Sequence, residues 1–165
     1  MGHSAHLAVL HGREVLYVVE QRAPGRPPLV TDVGVRLPAQ LTATGRAVLA
    51  DLPDVQVRAL FPDPAAFVLR TGLGPRSPSA LRALLVDVRR RGHALEDGEV
   101  TPGFASIASP VLDHSGHPVA GVAVTFAAAG LPAPARERVA GLVARTAATI
   151  SRRIGGVSPA APASS

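Results

Sequence analysis

The chain has 165 residues, enough for one domain that buries about two-thirds of the surface its unfolded form would expose. Hydrophobic residues make up 47% of it, but with no Trp, one Tyr and four Phe the core is expected to consist of Val, Leu, Ile and Ala. The lack of cysteine excludes disulfides and thiolate chemistry and fits a cytoplasmic protein, and the formal charge of +5 predicts nucleic-acid binding only if the arginines gather on one face.

The chain opens with a predicted β-hairpin. Residues 1–4 are expected to be a cloning remnant or an artificial start, because strand-like alternation begins almost at once. Residues 5–10 and 14–20 alternate apolar and polar side chains on either side of Gly12, which predicts two strands joined by a tight turn. One face of the second strand is expected to carry Val15, Tyr17 and Val19. A third short strand is predicted around residues 29–33.

Three helices are predicted in the middle of the chain. The spacing of Leu41, Val48, Leu49 and Leu52 predicts a helix that starts near Thr42 and ends before Pro53, and a second short helix is expected over 55–60. Ser77 and Pro78 have the form of an N-cap followed by proline at the first helical position, and Gly92 provides the stop of that third helix.

Three strands and a long helix are predicted in the second half of the chain. A short strand at 93–95, an acidic loop at 96–99 and a strand at 104–111 precede a turn at 113–116, so that a strand at 118–126 runs back antiparallel. A long amphipathic helix begins near Pro134 and stops at Gly155 and Gly156. The two runs of arginine, 89–91 and 152–153, fall at predicted helix ends, where cations favourably meet the helix dipole.

The order of elements predicts an α+β domain with helices packed on an antiparallel sheet. We expect residues 5–156 to form one domain and residues 157–165, rich in Pro, Ala and Ser, to be a disordered tail. No apolar run reaches the roughly 18 residues that span a membrane.

Catalytic and metal-binding signatures are missing from the sequence. It contains no G-x-S-x-G elbow, P-loop, complete dinucleotide fingerprint or H-E-x-x-H motif. His114 and His117 straddle a hairpin turn without a third ligand, and Asp97 and Glu99 are expected to lie in an exposed loop with no nucleophile nearby. We therefore expect no enzyme, no metal and no cofactor.

Two neighbouring strands each have one face of small residues. Side chains alternate along a strand, so Gly121, Ala123 and Thr125 share a face, as do Ser106 and Ala108. Such a face leaves room either for a helix that packs closely or for a ligand, and the sequence leaves both alternatives open.

The start of the first helix is a second candidate binding site. The free N–H groups and positive dipole end of a helix bind carboxylates well, and the segment Thr42-Ala43-Thr44-Gly45 lies at such a start. Simple capping by either threonine explains the same residues.

Several segments together resemble the effector-binding domain of the isocitrate-lyase-regulator (IclR) family of transcription factors. The resemblance spans about residues 7–155, and its order and spacing are more specific than any single piece. Its pieces are 33–38 (VGVRLP), 41–50 (LTATGRAVLA), 89–94 (RRRGHA), 99–103 (EVTPG) and 107–111 (IASPV).

The resemblance implies a GAF-like fold, an antiparallel sheet with helices on both sides. It also implies a domain that senses a small metabolite, a carboxylate or an aromatic acid, and works as a dimer or tetramer with operator DNA bound through a separate N-terminal winged helix-turn-helix. Carried over by position, the effector-binding residues are Leu29, Leu37, Ala43, Thr44, Gly45, Glu96, Ser106, Ala123 and Thr125.

The chain departs from the family pattern at the predicted pocket. Some members have serine where this chain has Ala123 and cysteine where it has Ser106. Because a lost hydroxyl removes a donor for a small acid, a larger or more apolar effector is expected. The alternative is an oligomerisation domain without an effector, and the sequence identifies neither the effector nor the operator.

Overall fold

The computed structural model describes residues 3–25 and 31–158 of the chain. Six strands and four α-helices occur in the described part. In chain order they are β1 (Ser4–His11), β2 (Glu14–Gln21), β3 (Arg36–Pro38), α1 (Ala43–Asp51), α2 (Asp54–Leu60), α3 (Pro78–Arg91), β4 (Ala94–Asp97), β5 (Phe104–Leu112), β6 (Pro118–Ala127) and α4 (Ala133–Arg153).

The strands form one antiparallel sheet in the order β3-β2-β1-β6-β5-β4. Helices cover both of its faces, which confirms the predicted α+β class and the GAF-like arrangement. No helix in residues 3–25 or 31–158 is both long and apolar enough to cross a membrane.

The two faces of the sheet belong to two separate apolar clusters. On one face Ala8, Val15, Ala108 and Ala123 pack with residues of α1 and α3. On the other, α4 covers a cluster of bulkier side chains from β5 and β6, namely Ala105, Ile107, Val111, Ala120, Val122, Val124 and Phe126. The alternation predicted for β5 and β6 is therefore confirmed.

The opening hairpin is confirmed, but one of its predicted face residues is wrong. Leu7 pairs with Val19 and Ala8 with Tyr17, so the register skips Val18 as a β-bulge. The extra residue reverses the alternation beyond it. Val15 and Tyr17 are buried as predicted, whereas Val19 is 54% exposed.

The third strand lies later than predicted. Residues 31–33, the described part of the predicted strand 29–33, form turns, and β3 occupies Arg36–Pro38 instead. Leu37 of β3 pairs with Val15 of β2, so tertiary pairing with the hairpin selects the strand.

Helix boundaries follow the caps found in the sequence. Thr42 accepts a hydrogen bond from the amide of Gly45 at the start of α1, and Ser77 accepts one from Ala80 at the start of α3. Gly92 ends α3 in the left-handed conformation, with φ of 84°.

Two boundaries differ from the sequence expectation. β1 already includes Ser4, one residue before the expected start of the domain. Glu96 and Asp97 belong to β4 and not to an acidic loop, because they pair with Ser106 and Ala105 of β5.

The predicted tail, residues 157–165, is described only in part. The amide of Val157 donates to the carbonyl of Asp113, and residues 159–165 lie outside the described part of the chain.

Candidate effector pocket

A pocket lies between the start of α1 and the sheet face that α1 covers. The space between its atoms amounts to about 370 Å³, including its open mouth. Residues from β1, β2, β4, β5 and β6 meet α1 around it: His6, Tyr17, Thr31, Thr42, Ala43, Thr44, Glu96, Val100, Thr101, Phe104, Ser106, Ala123 and Thr125.

Four polar side chains form a hydrogen-bonded chain across four adjacent strands beneath this pocket. His6 Nε2 lies 2.7 Å from Thr125 Oγ1, and Thr125 Oγ1 lies 2.7 Å from Ser106 Oγ. Ser106 Oγ in turn is 3.2 Å from Glu96 Oε1. Strand register produces the chain, because Glu96, Ser106 and Thr125 are directly opposite one another on β4, β5 and β6.

The outer oxygen of Glu96 is held by the backbone. Glu96 Oε2 accepts hydrogen bonds from the amides of Glu99 at 3.2 Å and of Val100 at 3.4 Å. The two carboxylate oxygens of Glu96 therefore have different partners: Oε1 faces the hydroxyl chain and Oε2 faces backbone donors.

Three buried polar atoms at the pocket have no hydrogen-bond partner among the described residues. They are His6 Nδ1, Thr31 Oγ1 and Thr44 Oγ1. Thr44 Oγ1 lies near the Tyr17 side chain but without the geometry of a hydrogen bond. An unpaired buried polar group costs about 1–3 kcal/mol, and all three of these atoms belong to residues that line one pocket.

Burial shifts the titration of the ionisable groups around the pocket. Burial lowers the pKa of His6 to about 4, so its ring is neutral near neutral pH, and burial raises the pKa of Tyr17 to about 12. Burial and then the neighbouring Glu99 carboxylate raise the pKa of Glu96 to about 7, although the Val100 amide and Arg46 act in the opposite direction.

Arg46 fixes α1 to the loop after β4. Its guanidinium donates to the carbonyls of Gln40 at 2.8 Å and Leu95 at 2.7 Å, and to Glu99 Oε1 at 3.0 Å. Glu99 is thus an ion-pair partner of a buried arginine, and the expectation of an exposed loop residue is wrong for it. Asp97 remains half-exposed and pairs with Arg136.

The start of α1 is capped by a side chain. The N–H of Gly45 donates to Thr42 Oγ1 at 3.0 Å. A short 3-10 helix, Ala39–Leu41, directly precedes this cap. Of the alternatives for the Thr-Ala-Thr-Gly segment, capping by Thr42 is therefore present, while Ala43 and Thr44 of the first turn line the pocket.

The small-residue face of β6 allows close helix packing at one position and lines the pocket at another. A Cβ on Gly121 would lie 2.7 Å from the carbonyl oxygen of Thr44, so Gly121 lets α1 approach the sheet. Ala123, two residues later on the same face, lines the pocket.

Most of the predicted site residues come together. Ala43, Thr44, Glu96, Ser106, Ala123 and Thr125 line the pocket. Leu37 does not: it lies in the apolar cluster beneath α1 and is 3% exposed. Gly45 supports the site through packing, because a Cβ there would overlap the backbone of Ala39, and Leu29 lies outside the described residues.

Sequence reasoning missed His6, Tyr17 and Thr31. One signal was present for His6, a polar residue at an inward position of a strand whose other inward residues, Ser4 and Ala8, are small. Its partner Thr125 is 119 positions away, which no local pattern indicates. Among the residues that the structure describes, no group of three potential metal ligands occurs.

A family model for the C-terminal region of the bacterial transcriptional regulator IclR matches residues 1–152 of this chain. The chain belongs to the IclR family of bacterial transcriptional regulators. Its members are transcriptional regulators and not enzymes, which confirms the expectation that this chain is not an enzyme.

Relatives of known name and structure agree with membership in the IclR family. The glycerol operon regulatory protein of Streptomyces coelicolor is 33% identical over 156 residues, which cover 93% of this chain and 60% of that protein. The Pca regulon regulatory protein of Pseudomonas putida is 34% identical over 123 residues, 74% of this chain and 42% of that protein.

Solved structures show the same fold. The crystal structure of the Thermotoga maritima IclR superposes with a TM-score of 0.84 at 26% identity, over 93% of this chain and 62% of that one. The chain therefore spans about 60% of the length of the Streptomyces coelicolor regulator and of the Thermotoga maritima IclR. It corresponds to the C-terminal region of the family.

Proposed function

We propose that this IclR C-terminal domain senses a small polar metabolite in the pocket between α1 and the sheet. The observation that supports the proposal is the set of three unpaired buried atoms, His6 Nδ1, Thr31 Oγ1 and Thr44 Oγ1, at one pocket. A ligand that bonds to them recovers the free energy lost by their burial. In the whole regulator, this binding modulates operator DNA binding by a winged helix-turn-helix outside this chain, in the cytoplasm.

The dimensions of the pocket favour a small effector. The space between the lining atoms is about 370 Å³ with the open mouth included, so the enclosed part is much smaller. Most of the lining side chains carry hydroxyl, carboxyl or imidazole groups. These features weigh against the larger or more apolar effector expected from Ala123, and favour a compact molecule with carboxylate or hydroxyl groups.

The names of two relatives support a metabolic signal. Regulators of a glycerol operon and of the Pca regulon are 33% and 34% identical to this chain. Both names refer to control of a set of genes, and for this chain we propose the same kind of role with an effector of the chemistry described above.

Calorimetric titration and thermal shift with small hydroxy acids, keto acids and polyols test the proposal, because a ligand that binds the native state stabilises it by mass action. Replacing Ala123 with Phe fills the pocket and should abolish binding. Ala127→Phe is the matched control, because Ala127 is exposed at the end of the same strand and should bind normally.

The alternative is an oligomerisation domain without an effector. Exposed apolar residues on consecutive positions of β2, Val18 and Val19, are compatible with a contact between copies. If no member of the panel shifts the melting temperature and Ala123→Phe lowers it sharply, the space is packing and the alternative is correct.

A further inference from the structure

The hydrogen-bonded chain beneath the pocket restricts where its protons can lie. Three short contacts join His6 Nε2, Thr125 Oγ1, Ser106 Oγ and Glu96 Oε1. Each contact needs one proton, and the two hydroxyls supply only two. The third proton must come from one end of the chain, either from Glu96 or from His6 Nε2.

The protonation state of Glu96 decides which end supplies it. When Glu96 is ionised it only accepts, so Ser106 donates to Glu96, Thr125 donates to Ser106, and Nε2 must carry the proton that Thr125 accepts. A neutral His6 then has a lone pair on Nδ1. When Glu96 carries a proton, the relay places it on Oε1, because Oε2 accepts from two backbone amides. The Glu99 carboxylate is the competing acceptor for this proton.

Protonation of Oε1 reverses every bond in the chain. Glu96 now donates to Ser106, Ser106 to Thr125, and Thr125 to Nε2, which must be unprotonated. The neutral ring then carries its proton on Nδ1, the nitrogen of this pocket-lining residue that has no partner among the described residues.

We propose that Glu96, acting through Ser106 and Thr125, sets the tautomer of His6, so that the pocket presents Nδ1 as an acceptor when Glu96 is ionised and as a donor when Glu96 is protonated. A carboxylate ligand needs donors, and it therefore binds together with one proton. The statement about carboxylate binding rests on the proposed function. The change of the His6 tautomer with the protonation of Glu96 does not require a ligand.

The change of tautomer conserves every proton in the hydrogen-bonded chain apart from the one that is taken up. A proton that arrives at Nδ1 forms an N–H bond there, the Nε2 proton passes to Thr125, the Thr125 proton passes to Ser106, and the Ser106 proton passes to Glu96. One proton is taken up, both hydroxyls keep one proton each, and His6 ends neutral.

The surroundings of Glu96 allow this titration near neutral pH. Glu99 from the loop after β4 and Arg46 from α1 are the charged groups that act on Glu96. Tyr17 of β2 interacts with it electrostatically, and His6 of β1 is connected to it through the two hydroxyls. Burial with the Glu99 charge raises the pKa of Glu96 to about 7, while burial keeps the His6 ring neutral.

Long-range ¹⁵N–¹H spectra of the histidine-labelled protein test the relay without a ligand. In the wild type we expect His6 to carry its proton on Nε2 above about pH 8 and on Nδ1 below about pH 6, one unit either side of the Glu96 pKa. Glu96→Gln should hold Nδ1–H throughout, because its amide oxygen takes the place of Oε2 and its NH₂ donates to Ser106.

Two serine variants on β5 separate the relay from a general effect. Ser106→Ala removes the central hydroxyl, so the tautomer should stop changing with pH. Ser109→Ala is the matched control: its buried hydroxyl has no hydrogen-bond partner within residues 3–25 and 31–158, and the switch should persist. A wild type that keeps one tautomer over the whole range, or a Ser106→Ala protein that still switches, would overturn the proposal.

Calorimetry in buffers of different ionisation enthalpy tests the link to the ligand, with lactate as the carboxylate probe and glycerol as the neutral one. Bound lactate should take up one proton and lose affinity about tenfold per pH unit above the midpoint, while glycerol affinity should stay nearly constant. Lactate binding without proton uptake contradicts the proposal. If neither probe binds, the effector role loses support, and the histidine spectra still decide the relay.

Discussion

Glu96 and His6 change the stability of the domain in opposite directions with pH. The pKa of Glu96 rises from 4.5 in the unfolded chain to about 7, so the stability it contributes is complete below pH 4.5 and is lost as the pH rises through 7. The pKa of His6 falls from 6.5 to about 4, so its contribution is present above pH 6.5 and is lost as the pH falls through 4. Between pH 4.5 and 6.5 the two effects nearly cancel.

Replacing Glu96 should reveal the pH dependence of the free energy of unfolding that His6 alone causes. For Glu96→Gln we expect the free energy of unfolding to rise with pH from about 4 to 6.5 and then stay level, whereas the wild-type value should stay nearly level from about pH 4.5 to 6.5 and fall by less than about 1 kcal/mol above that range. Urea unfolding at a series of pH values measures the difference. Glu14→Gln, on the exposed start of β2, should retain the wild-type profile; equal profiles for all three proteins would refute the assignment.

Arg46 should be among the most costly residues to replace. It is 2% exposed and makes three hydrogen bonds, one of them to the largely buried carboxylate of Glu99. Arg46→Met should destabilise the domain by about 3–5 kcal/mol, because removing one partner leaves a buried charge uncompensated. Arg90→Met, which removes an exposed pair with Asp87, should cost less than about 1 kcal/mol in the same denaturant titration.

At the scale of elements, the contact between α1 and β6 depends on Gly121. A Cβ there would lie 2.7 Å from Thr44 O and 2.9 Å from Thr44 Cα, and backbone cannot move away as a flexible side chain can. We expect Gly121→Ala to cost about 1–3 kcal/mol or more and to weaken ligand binding, because the start of α1 must shift away from the pocket. Gly130→Ala is the control, since the nearest atom to its added Cβ lies 3.9 Å away. Equal midpoints for the two variants would show that the close approach is not required.

The elements that the sequence predicted are those with strong local signals. The caps Thr42 and Ser77, the stop at Gly92 and the alternation along β5 and β6 all act within a few residues, and each is confirmed. The bulge at Val18 and the position of β3 depend on pairing with other strands, so local patterns did not reveal them.

The same distinction applies to the pocket. The resemblance to the IclR family indicated Glu96, Ser106 and Thr125 as members of one site, and the strand register brings them into line. The participation of His6 requires β1 to lie beside β6, a pairing between opposite ends of the chain. No pattern in the sequence around His6 predicts that pairing.

At the scale of the whole molecule, we expect the chain to form dimers or tetramers, because closed symmetric assembly is the usual state of soluble oligomers and the resemblance to IclR regulators implies it. Light scattering at concentrations up to the high micromolar range measures the assembly. A monomer at every concentration would contradict this expectation, and it would also count against the oligomerisation alternative for the function of the domain.

The two faces of β5 and β6 divide their residues between separate tasks. Ser106, Ala123 and Thr125 face the pocket, while their immediate neighbours in sequence face α4. Under the proposed function, substitutions on the first set can therefore alter which molecule is recognised without disturbing the larger apolar cluster on the second. During evolution, a regulator built in this way can acquire a new inducer through a few changes to alternate residues of two strands, and the same positions are where a designer should place a library for biosensors with new specificities.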